Sequence, residues 1–68
     1  MLQDHLAQAE CHVAEGERNI ARQREIVAQL ERDGHDADQA ARLLRSFEEL
    51  QALHVADRDR LRKELGLS

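Results

Sequence analysis

An all-α fold is what this sequence predicts: an antiparallel two-helix hairpin of coiled-coil type, paired into a four-helix bundle. Three observations carry that expectation. Apolar residues recur at alternating steps of four and three from residue 2 to residue 30. A glycine and a cap-forming aspartate, Gly34 and Asp36, interrupt the chain near its middle. The 68 residues contain ten leucines, ten alanines and no proline, a composition suited to long helices.

The first helix rests on the positions Leu2, Leu6, Ala9, Val13, Gly16, Ile20, Gln23, Val27 and Leu30. A sustained 3.5-residue repeat keeps such side chains on one seam. Only Gly16 and Gln23 depart from the apolar rule. Ala7, Ala14, Ala21 and Ala28 form a second stripe beside the seam. It suits close approach of another helix, and it equally suits a plain surface made of the best helix former.

The turn follows from chemistry on both sides of it. Gly34 fits the position just past a helix end, where φ is usually positive. Asp36 fits the N-cap of the next helix, and Gln39, three residues on, completes a capping box. The expected organisation is a single domain, residues 1–68, with a helix over about 3–33, a turn at 34–36 and a helix over about 37–65. Each helix would be about 45 Å long, and so short a connection makes them antiparallel neighbours.

The second helix continues the pattern at Ala40, Leu43, Phe47, Leu50, His54, Asp57, Leu61 and Glu64, with Leu44, Leu53 and Leu65 widening its apolar face. With Asp33 opposite Ala37, the layers pair Val27 with Leu43, Gln23 with Phe47, Ile20 with Leu50, Gly16 with His54 and Val13 with Asp57. The half nearest the turn is then the well-packed one, and the open half carries a polar layer of Gly16, Gln23, His54 and Asp57. The residues expected to carry core and assembly are Val13, Ile20, Val27, Leu30, Leu43, Leu44, Phe47, Leu50, Leu53 and Leu61.

Several functions are excluded or narrowed. A net charge of −4, with signs interspersed, argues against nucleic acid as a partner. No apolar run approaches the roughly 20 residues of a membrane span. The lone Cys11 permits no internal disulfide. The first residues have neither the basic start nor the apolar stretch of a secretion signal, so a cytoplasmic location is expected. No nucleophile set or glycine-rich phosphate loop is present, and the expectation is no enzyme activity and no cofactor.

Histidines are the remaining chemistry. His54 falls on the seam with Asp57 one turn on, and Gly16 opposite would leave room for the ring. The pair could orient a proton or a metal ion, or simply form a polar layer that sets register. A metal site would need His12, His54 and Asp57 to converge from two helices, or ligands from two subunits. The segment His12-Val13-Ala14-Glu15-Gly16 is similar to the His-x-x-Lys-Gly segment of histidine-phosphotransfer domains, which implies phosphotransfer through His12. Glu15 departs from that pattern, since an acid repels a phosphoryl group.

A wider resemblance covers most of the chain. The runs from Leu30 to Asp36, from Ala41 to Glu49 and from His54 to Leu61, with His12 to Glu17, resemble a group of short, functionally uncharacterised α-proteobacterial proteins. It implies a small stand-alone protein and no activity. Two packed helices cannot enclose a core, so a chain this small needs company. The expected function is a non-enzymatic module acting through self-association, as a homodimer, or through binding a partner's helix. The alternatives are the metal-responsive site of His12, His54 and Asp57 and phosphotransfer through His12.

Overall fold

The computed structural model describes residues 2–66. Two helices, α1 (Leu2–Arg32) and α2 (Asp38–Glu64), lie antiparallel and pack along their lengths in a rod 49 Å long and 17 by 14 Å across. The hairpin and its reversal point agree with the expectation, to within a residue or two at the helix ends.

Gly34 makes the reversal. Its φ of 74° is the left-handed conformation that costs a side-chain-bearing residue most. Two bonds lock it: the Gly34 N–H donates to the Glu31 carbonyl and the His35 N–H to the Leu30 carbonyl, at 3.2 and 2.9 Å. This is a Schellman closure, which satisfies carbonyls that the helix end would otherwise leave open. The start of α2 differs from the expected capping box. Ala37 holds the N-cap position, with its carbonyl accepting from the Ala41 N–H. Asp36 stands one residue outside, and its Oδ1 accepts from the Asp38 N–H at 2.9 Å. With Ala37 at the N-cap there is no side-chain cap bond, and the expected box of Asp36 with Gln39 does not form.

On α1 the predicted seam faces inward. Leu6, Ala9 and Val13 are buried, Gly16, Ile20, Val27 and Leu30 are half-buried, and Gln23 is buried at 6% exposure. The side chain of Leu2 lies outside the described residues.

On α2 only one of the two predicted lines faces α1. Ala40, Phe47, His54 and Leu61 point inward, as expected. The other line, Leu43, Leu50, Asp57 and Glu64, is exposed, and Leu44, Gln51, Arg58 and Leu65 take its place. Two carboxylates decide this. Facing Leu43 and Leu50 inward would bury Asp57 and Glu64 with them, and burying a charge without a partner costs several kcal/mol. The observed face buries Leu65 instead of Glu64. It also places an amide and the aliphatic stem of Arg58 on the seam, and an arginine stem can lie on apolar surface while its head reaches water. Asp57 and Glu64 stay outside, both paired with Arg60. Leu43, Leu50 and Leu53 are therefore not core residues of the hairpin.

The rotation also reverses the packing gradient. The buried cluster is Leu6, Ala9 and Leu61, with Leu65 packed against it, at the open end. Nearest the turn, α2 offers Ala37, Ala40 and Ala41, which are too small to cover Val27 and Leu30 fully. Phe47, placed in the core by sequence, is half-buried.

Gly34→Ala should lower stability by about 1 kcal/mol in urea denaturation. Nothing lies within 4 Å of the added methyl group, so the loss reports backbone conformation alone. An unchanged midpoint would mean that Gly34 does not hold the turn.

Candidate functional site

Polar groups meet across the middle of the hairpin. Gln51 reaches from α2 to α1, and its Nε2 donates to the Val13 carbonyl at 2.9 Å. Its amide lies over Gly16, where a Cβ would stand 2.7 Å from Gln51 Cδ and would collide with Oε1. Gly16 thus clears space for the glutamine amide, not for the ring of His54. Nearer the turn the exchange is reversed. Gln23 reaches from α1 and its Nε2 donates to the Ala40 carbonyl at 2.9 Å. Each bond contributes about 0.5–1.5 kcal/mol net, and each fixes where one helix stands along the other. The Gln51 Oε1, by contrast, is buried without a hydrogen-bond partner.

Beside Gln51 the two helices bring His12 and His54 together. Their ring centres are 5.2 Å apart, with the planes inclined at 41°. The rings share a groove of about 180 Å³ with Glu15, Gly16, Asn19, Phe47, Leu50 and Gln51. A second groove toward the open end is lined by His5, Gln8, His12, Asp57, Arg60 and others.

The polar layer predicted from sequence assembles differently. His54 meets His12 rather than Gly16, Gln23 meets the backbone of Ala40 rather than Phe47, and Val13 meets Gln51 rather than Asp57. Asp57 is exposed and hydrogen-bonds Arg60. That hydrogen bond, then the charge of Asp57 and that of Glu64, raises the Arg60 pKa above its ordinary value. Asp57 therefore does not complete a three-ligand site with His12 and His54, and among the described residues no three His, Cys, Asp or Glu side chains are placed to hold a metal ion. Cys11 is exposed.

The phosphotransfer likeness also changes meaning. His12 is exposed, as a phosphoryl acceptor must be. Gly16, however, serves the Gln51 amide, and Glu15 lines the same groove as the ring.

Sequence reasoning passed over Gln51. The signal was present: a lone glycine on an otherwise filled seam asks for a bulky group opposite, and the line through Leu44, Gln51, Arg58 and Leu65 has the same spacing as the line chosen.

The two flanks of the hairpin differ in character. On one, Arg24 pairs with Glu48 at 3.2 Å and Arg62 with Glu10 at 3.6 Å, bridging the helices. Exposed pairs like these add under about 1 kcal/mol each, but they sit comfortably in water. The other flank carries the histidine groove, which Leu50 lines, and the exposed Leu43 and Leu53. No helix is long and apolar enough to cross a membrane among the described residues. No protein-family model matches the chain, and no curated protein or solved structure matches it.

Gly16→Ala should leave stability nearly unchanged. The methyl group gains about 1 kcal/mol of helix propensity but drives the Gln51 amide off the Val13 carbonyl, a loss of similar size. In a Gln51→Ala background the same change should stabilise by about 1 kcal/mol. Equal effects in both backgrounds, measured by urea denaturation, would show that Gly16 and Gln51 do not interact.

Proposed function

We propose that this chain is a non-enzymatic interaction module whose partner is a second copy of itself, two hairpins pairing into a four-helix bundle. The carrying observation is where the uncovered apolar side chains lie. Ile26, Leu43, Leu50 and Leu53 are 41%, 46%, 50% and 68% exposed. Leu43 and Leu50 are seven residues apart on one line of α2, with Leu53 one turn from Leu50. Ile26 is on the same line of α1 as Asn19 and His12. Asn19 and His12 share a groove with Leu50, so all four belong to one flank. Exposed apolar side chains gathered on one flank favour an association surface there.

Self-pairing is favoured over other occupants on two grounds. First, the hairpin alone encloses little: four hydrophobic residues are buried and none is completely so among the described residues. Chains this small gain stability by oligomerising when no metal or disulfide holds them. Second, the helices are 31 and 27 residues long. Two near-equal rods can lie flank to flank over a two-fold axis, the commonest symmetry of homo-oligomers. The ion pairs bridging the opposite flank leave that side facing water. The exposed cysteine suits a reducing compartment such as the cytoplasm.

Light scattering should give a mass twice the 7.8 kDa of the chain. Leu50→Glu and Leu53→Glu should each return it to the single-chain mass while helical circular dichroism is retained, and Ala52→Glu, on the far side of α2, should leave the dimer intact. A wild-type chain of single mass, or a dimer indifferent to both glutamates, would overturn the proposal.

A further inference from the structure

We propose that His12 and His54 form a clip for a divalent transition-metal ion such as Zn²⁺ or Ni²⁺, joining α1 to α2. The two imidazoles come from opposite helices and meet in a single groove, with ring centres 5.2 Å apart and planes inclined at 41°. Among the described residues no hydrogen bond or ion pair engages either ring. A zinc–nitrogen bond of about 2.0–2.1 Å places the metal roughly 3.2 Å from each ring centre, and a tetrahedral angle between two such rings separates their centres by about 5 Å. The observed separation of 5.2 Å is close to that value.

The surroundings supply further oxygen donors. Glu15 lies one helical turn from His12 and lines the same groove. Its carboxylate favours a cation there and can reach toward the ion. Gln51 lines the groove as well. No third His, Cys, Asp or Glu is fixed in place among the described residues. The clip is therefore a two-imidazole site completed by solvent, and it binds more weakly than a closed structural zinc site. Because both rings belong to one chain, the site does not rest on the pairing of hairpins.

The test adds Zn²⁺ or Ni²⁺ chloride to the full chain at fixed protein concentration near pH 7.5. Millimolar metal should raise the melting midpoint by roughly 5–10 °C, at one ion per chain. The rise should vanish in His12→Gln and in His54→Gln, persist in His5→Gln and Cys11→Ser, and shrink near pH 5.5, where imidazoles take up protons. Should either variant fold poorly, imidazole resonances of the wild-type chain decide: Zn²⁺ should move those of His12 and His54 and leave His5 and His35 in place. No rise, a rise that survives loss of either His12 or His54, equal perturbation of all four histidines, or one ion shared between two chains would each overturn the proposal.

Discussion

The Gln51 amide, seated over Gly16 and bonded to the Val13 carbonyl, is the contact that marks how the two helices of this hairpin stand against one another. Two helices alone bury too little apolar surface to choose a register by packing. Polar contacts with strict geometry choose it instead. Gln51 reaches one way across the interface and Gln23 reaches the other, each donating to a backbone carbonyl. Once Gln51 faces inward, the α2 positions a whole number of heptads away must do so as well. Leu44, Arg58 and Leu65 turn toward α1, and Leu43, Leu50 and Asp57 turn away. The same rotation that turns Gln51 inward keeps Asp57 and Glu64 in water, and Leu43 and Leu50 stay exposed with them.

That rotation is also why some features can be seen in the sequence and others cannot. The seam of α1 is legible because nine positions hold one repeat with only two exceptions. The turn is legible because Gly34 meets a backbone demand that few other residues can meet. The face of α2 is ambiguous. Two lines at the same spacing flank Ala40, Phe47, His54 and Leu61, and each carries two leucines and two polar residues. Counting apolar residues cannot separate them. The cost of burying Asp57 and Glu64, against that of burying an amide and an arginine stem, does separate them. The same step accounts for the site. His54 was legible as a seam residue, but its neighbour depended on register, and a shift of a few residues replaces Gly16 with His12.

The result is a rod with unlike sides. One flank bridges its helices with ion pairs and is at ease in water. The other carries exposed apolar side chains and two neighbouring imidazoles. Packing within the hairpin is strongest at the open end, where Leu6, Ala9, Leu61 and Leu65 meet. Of the exposed leucines, Leu43 lies toward the turn, while Leu50 and Leu53 lie near the middle of α2, close to His54. Association on this flank, as proposed, would cover apolar side chains that the hairpin itself leaves exposed.

Thermal unfolding followed by circular dichroism across a roughly hundredfold range of protein concentration tests this most directly, because a fold stabilised by a second copy melts at a midpoint that depends on concentration. The account predicts a midpoint that climbs steadily as the protein is concentrated. A cooperative transition at one temperature throughout, from a chain that stays single, would contradict it.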